Sequence, residues 1–217
     1  MARKTKEDAE ATRAAILDAA ESCFLHKGVA RTALEDIAAR AGHTRGAVYW
    51  HFKNKLEVFE AVMERVESPL FQELAQVASP TNVAPLETLR QFYLSAFDEL
   101  TRNPHARNAV EISLLRCELG EETRSILERD QRSASQSIGR IKETLAQAKR
   151  LGQLRPELDP GQCAMILHCC VMGLLREWLL NPQSITLERD GIKMVDVLLS
   201  SFSTERNLQE QSEVDEE

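Results

Sequence analysis

Apolar residues recur at helical spacing along almost the whole chain, and no stretch of any length alternates as a strand would. Ile16, Leu17, Ala20 and Phe24 form one stripe and predict a first helix over roughly 8–27, ended by Gly28. Leu34, Ile37, Ala38 and Ala41 keep the i, i+3, i+4, i+7 spacing of a short amphipathic helix. Thr32 followed by Glu35 reads as its capping box, and Gly42 as its left-handed terminator. Thr44 has the hydroxyl of an N-cap for a third helix, in which Val48 and Phe52, one turn apart, anchor the inner face. Arg45 and Tyr49 occupy an adjacent stripe that can face outward, and Gly46 and Ala47 are small enough for close approach to another surface. Two short helices about a Gly-containing turn, held from behind by the first, make a helix-turn-helix.

A fourth helix, roughly 54–77, carries Leu56, Phe59, Val62, Met63, Val66, Leu70 and Leu74, with Pro69 expected to kink it. Ser79-Pro80-Thr81-Asn82 is a loop. Helices follow over roughly 84–102, with a wide apolar face, and 104–118, with Glu111 inside an apolar run. Gly120 is a break before a long, partly polar helix over 121–151. An eighth helix, 160–180, is apolar nearly all round until Arg176, so it must be covered on several sides. A ninth, 184–202, repeats the pattern, and these last two are expected to pair with their two-fold copies in a homodimer. The predicted fold is therefore all-α: a three-helix helix-turn-helix DNA-binding head over 1–55, and a helical dimerisation domain over 56–203, to which the resemblance described below adds effector binding. An acidic tail, 204–217, is expected to be disordered.

Charge changes the picture once it is divided. The formal net charge of −7 looks wrong for a nucleic-acid binder. Residues 1–55, however, hold 10 Lys/Arg against 7 Asp/Glu, a balance of +3, and the other 162 residues carry −10. Counterion release needs only the local patch, while an acidic remainder discourages DNA from binding the wrong face. Five cysteines, Cys23, Cys117, Cys163, Cys169 and Cys170, show no CxxC spacing and sit in apolar helical patterns, as reduced thiols of a cytoplasmic protein would. The basic N-terminus runs into a charged helix, unlike a signal peptide. The longest uncharged run, Pro160 to Leu175, reads as too short and polar for a bilayer. GxG, HExxH, GxSxG and ExxH spacings are all missing, so no enzyme, cofactor or metal site is expected.

The stretch Gly28-Val29-Ala30-Arg31-Thr32, then Ile37-Ala38, Ala41-Gly42 and Thr44-Arg45-Gly46-Ala47-Val48-Tyr49-Trp50-His51-Phe52 with Lys55, resembles the TetR family of repressors. Ala2-Arg3-Lys4-Thr5-Lys6 and Arg116-Cys117-Glu118 resemble its AcrR-type efflux-regulator branch. The match is dense over about the first 60 residues and thin afterwards; His43 departs from it, standing where the family usually carries a small apolar residue. The resemblance implies a dimeric repressor of a multidrug efflux operon, released by a hydrophobic or amphiphilic drug-like effector held between aromatic and polar walls. On the DNA side, Arg45 and Tyr49 are the candidates for base-edge contacts. Thr32, Thr44, His51 and Lys55 are the candidates for positioning on the backbone, with Arg3 and Lys4 in a basic arm and Gly46 and Trp50 on the same helix. By position, the effector candidates are Val66, Phe71, Phe92, Phe97, Val110, Glu111, Leu114, His168, Met172 and Trp178. Glu111 is the most telling of them. A carboxylate in an apolar run must be paired, with Arg107 or a neighbour, or face a cationic or hydroxylated ligand. The rival reading is a helical small-molecule sensor whose head does not bind DNA.

Overall fold

The computed structural model describes residues 6–118 and 120–204, with Glu122 described by its backbone alone. The basic arm containing Arg3 and Lys4, and all but Thr204 and the residues before it at the acidic end, lie outside the described residues. Nine α-helices fall among those described: α1 Lys6–Lys27, α2 Leu34–Arg40, α3 Arg45–His51, α4 Lys55–Val77, α5 Pro85–Arg102, α6 Pro104–Leu115, α7 Arg124–Arg150, α8 Pro160–Leu180 and α9 Ile192–Phe202. Among the described residues the nearest thing to a sheet is a lone antiparallel bridge, Leu154 to Ser203.

The chain divides into two compact units, Met1–Pro69 with Asn103–Arg132, and Leu70–Arg102 with Ser133–Glu217. In the first, α1 buries Ile16, Leu17, Ala20 and Phe24 as the stripe predicted, and packs on both α2 and α6. Gly28 ends α1 at φ +81° and Gly42 follows α2 at φ +69°, a left-handed geometry that glycine adopts without a Cβ penalty. After α2 the Gly42 amide donates to Ala39 and the His43 amide to Ala38, the paired bonds of a Schellman stop. The start of α2 corrects the expected capping box by one residue. Ala33 is the N-cap, and Asp36 Oδ2 accepts from its amide at 3.0 Å. Thr32 has its hydroxyl turned inward instead, donating to the Gly28 carbonyl at 2.8 Å. Lys27, 2.7 Å away, and the Ala33 amide together hold the Asp36 carboxyl below its ordinary range.

Two further boundaries shift from the sequence pattern. Helix α6 stops at Leu115, not near 118, because Arg116 leaves helical geometry and its carbonyl accepts from the Val29 amide at 2.9 Å. The last helix is preceded by a wide π-helical segment, Leu187–Gly191, so regular α9 begins only at Ile192. In the second unit that segment and α9 pack against α5, and Arg90 forks onto Asp196 at 2.5 and 3.2 Å. Gly191 makes the approach possible: a Cβ built there would stand 2.9 Å from the buried Phe97 ring and 3.2 Å from Leu174. Gly191→Ala is accordingly expected to cost about 1–3 kcal/mol in denaturant unfolding; an unchanged midpoint would mean the ring yields freely.

Helix α8 also departs from expectation, since at 21 residues it is long and apolar enough to cross a bilayer by length and composition alone. It behaves as a bundle helix on one side, burying Cys163, Ala164, Leu167, Val171, Leu175 and Trp178 at helical spacing. Met165 and Ile166 on α8 and Val197 on α9 remain exposed. Burial raises the Cys23 and Cys163 thiols above their ordinary pKa and pushes Cys117 up to about 11, which favours the protonated thiol at neutral pH.

Candidate nucleic-acid interface and effector region

Helix α3 is short, and its N-terminus is secured by the Thr44 hydroxyl accepting from the Ala47 amide at 3.2 Å. Val48 and Phe52 are buried, as their one-turn spacing predicted, and Arg13 caps the Phe52 ring at 5.3 Å. These anchors fix which face is left outside. On it stand Arg45, Gly46, Tyr49 and Trp50, with Tyr49 43% and Trp50 73% exposed. His51 is half-buried and meets the Trp50 ring edge-on at 4.5 Å. Arg45 lies over the Tyr49 ring and within 2.9 Å of Glu35 on α2.

The flanking cations are placed differently from one another. Lys53 is exposed, at the joint where Asn54 Oδ1 accepts from the Glu57 amide and Glu57 Oε2 accepts from the Lys53 amide. Lys55 is half-buried, its ammonium donating to the Ala30 carbonyl at 2.7 Å. It ties the α1–α2 loop to the start of α4. Thr32, expected to face the duplex backbone, is 2% exposed, and its hydroxyl is committed to the scaffold. His43 is half-buried.

The effector candidates are distributed over both units. Val66, Val110, Glu111 and Leu114 belong to the first; Phe71, Phe92, Phe97, His168, Met172 and Trp178 belong to the second. Val66, Phe92, Phe97 and Trp178 are buried, and the others are half-buried. Within the second unit Tyr93 links Phe92 and Phe97 into one aromatic row, with centroids 5.2 and 6.1 Å apart. Burial lowers the His168 pKa and favours its neutral form. Glu111 is paired, through one oxygen, with Nε and Nη2 of Arg116 at 3.1 and 2.8 Å.

Two polar joints of the first unit had no sequence signal. Glu21, buried on α1, accepts from Asn108 at 2.6 Å and lies 2.8 Å from Nδ1 of His105, so both partners come from α6. Arg129 on α7 forks onto Glu67 of α4, reaches Asp130 at 3.2 Å and sits over the Phe59 ring. Asp130 in turn accepts from Ser113 of α6 at 3.2 Å. Separations of 62 to 87 residues put such pairs beyond any local pattern.

Comparison with known proteins adds to this geometry. Residues 16–62 match the family described as bacterial regulatory proteins, tetR family, and residues 84–204 match the MAATS-type transcriptional repressor C-terminal region. The chain is 41% identical over 197 residues to the HTH-type transcriptional regulator TtgR of Pseudomonas putida, covering 90% of this chain and 93% of that one. The structure of a SmeT–triclosan complex superposes with a TM-score of 0.84 at 42% identity, over 90% of this chain and 93% of that. SmeT is described as the repressor of the Stenotrophomonas maltophilia multidrug efflux pump SmeDEF. NalD, described as the secondary repressor of the MexAB-OprM multidrug efflux pump in Pseudomonas aeruginosa, superposes with a TM-score of 0.83 at 34% identity, over 92% of this chain and all of that one.

Proposed function

The chain belongs to the TetR family of bacterial transcriptional regulators, and from that premise we propose that it represses a multidrug efflux operon until a hydrophobic drug-like molecule releases it. The observation that carries the reading is the outer face of α3: a capped, core-anchored helix that leaves Arg45, Tyr49 and Trp50 in water. Arg45 and Tyr49 stand towards base edges. Thr44, Trp50, His51, Lys53 and the anchored Lys55 border the phosphates, where helix N-termini and cations gain most. Residues 1–55 form the head, 56–203 the effector and dimer region, and 204–217 a solubilising tail. The protein works in the cytoplasm on double-stranded operator DNA.

The exposed Met165 and Ile166 of α8, with Val197 of α9, support a homodimer formed through these two helices. Two heads then read a palindromic site with half-sites separated by about one helical turn or slightly more. Release runs through α6. This helix carries the effector candidates Val110, Glu111 and Leu114, and its His105 and Asn108 grip Glu21 of α1 in the head. An effector that shifts α6 or α4 by a few ångströms displaces the heads from the spacing that the operator fixes.

Linkage supplies the test. Each ligand must weaken the other's binding by the same factor, on the order of 5- to 150-fold. A panel of amphiphilic aromatic compounds, starting with triclosan, is titrated against free and operator-bound protein by calorimetry. The expected result is a matching loss of effector affinity on DNA and of DNA affinity with effector. A panel whose members bind both forms equally, or never weaken operator binding, overturns the reading.

A further inference from the structure

Arg45 is exposed but not loose. Its Nε lies 2.9 Å from Oε1 of Glu35, a residue of the preceding helix α2. Its guanidinium carbon lies 5.2 Å from the centroid of the Tyr49 ring, one turn along α3, and Nη2 reaches the Tyr49 hydroxyl at 3.4 Å. A carboxylate therefore sits beside the Nε side of the guanidinium as an ion pair, and a ring lies under its plane. Both ionic side chains are half or more in water, 64% exposed for Arg45 and 50% for Glu35. An ion pair so open contributes little to folding, so stability does not account for it.

Geometry does. Arginine reads guanine with two parallel N–H groups aimed at O6 and N7. The Glu35 oxygen lies nearest Nε, which leaves the edge formed by Nη1 and Nη2 as the end of the guanidinium not taken by the ion pair. Among the described residues, the hydrogen bond that competes for that edge is the long one to Tyr49. A free arginine side chain must lose its rotamer freedom on reading a base; one biased towards a single placement by a carboxylate and a ring has lost part of it beforehand. Resting on the proposed entry of α3 into the major groove, we propose that Glu35 is a positioning residue that sets Arg45 for end-on reading of a guanine in the operator. Tyr49 serves as the platform beneath it. The arrangement carries a cost, because Glu35 also places a negative charge beside the phosphates. Its two effects have opposite signs: it weakens binding to DNA in general and sharpens binding to one base pair.

The test separates the two. Each base pair of an operator half-site is substituted singly, symmetrically in both half-sites. Affinities of wild type, Glu35→Ala and Glu35→Gln are measured on each fragment and on unrelated DNA at one salt concentration. Glutamine keeps the side-chain length and a carbonyl oxygen beside Nε and removes only the charge, whereas alanine removes both. Wild type is expected to discriminate one guanine position by at least about fivefold. Glu35→Ala is expected to lose most of that discrimination while binding unrelated DNA as tightly as wild type or more so. Glu35→Gln is expected to gain on unrelated DNA yet keep most of the discrimination. Thermal melting checks that both exposed-site variants fold as wild type does. If alanine and glutamine both tighten binding to every fragment by one common factor, Glu35 is only an electrostatic brake and the positioning role is wrong. It is equally wrong if Glu35→Ala keeps the wild-type profile. A wild-type protein with no base preference at all would instead remove the reading on which the proposal stands.

Discussion

Arg45→Ala is expected to abolish most of the protein's preference for its operator over unrelated DNA. A well-made arginine contact to a base pair supplies about 1–3 kcal/mol of discrimination, or roughly 5- to 150-fold in each half-site. A dimer loses it twice, so the effect is among the largest any single residue of the head can have. Folding should be untouched. Thr44 caps α3 through the Ala47 amide, and Val48 and Phe52 hold its inner face, none of which involves the Arg45 side chain. Anisotropy titrations on operator and unrelated fragments, with melting curves alongside, check this. An operator preference that survives the substitution would place base reading on other residues of α3.

Arg129→Met should instead strike stability. Arg129 is only 14% exposed and serves two carboxylates, Glu67 and Asp130, while lying over Phe59. Methionine keeps the apolar stem but leaves both acids without their cation in a half-buried site. Removing one partner of such a cluster costs about 3 kcal/mol, which in a chain of this length lowers the melting temperature by roughly 6–12 °C. The deficit must also depend on pH. Burial already raises Asp130 above its ordinary pKa, so the folded state holds its proton more tightly than the unfolded state does. Loss of the guanidinium raises it further. The variant should therefore be worst off above neutrality and recover towards pH 5, as Asp130 protonates. Denaturant unfolding of both proteins at pH 8 and pH 5 checks the sign, and a deficit that is constant or grows as pH falls contradicts it.

What the sequence disclosed follows the range of the forces involved. Features set within one or two turns were legible: the Thr44 cap, the Val48 and Phe52 anchors, the Gly42 stop and the apolar stripe of α1. The capping box was legible but displaced, because Thr32 and Ala33 compete for the same role and only tertiary packing turned the Thr32 hydroxyl inward. The end of α6 and the start of α9 were misplaced for the same reason. Arg116 is drawn off the helix by Val29, and the π segment is shaped by the approach of Gly191 to Phe97. Glu35 was read as half of a cap, and nothing within one turn of it points to Arg45 ten residues on. Glu21 and the Arg129–Glu67 fork gave no local signal at all, since the partners come from distant helices. The effector candidates were chosen by position along amphipathic helices. Such a pattern says which side chains turn inward but not which of them a ligand would touch.

The central claim is that the outer face of α3 reads DNA. It is tested most directly by titrating the purified full-length protein against a fragment from upstream of its own gene over a range of salt. With 6–10 phosphates neutralised, affinity should fall by about 10³- to 10⁵-fold between 50 and 200 mM salt, while a clear preference over unrelated DNA persists across the range. Binding that is absent, or indifferent to salt, would leave the helix-turn-helix as scaffold and the protein as a small-molecule sensor alone.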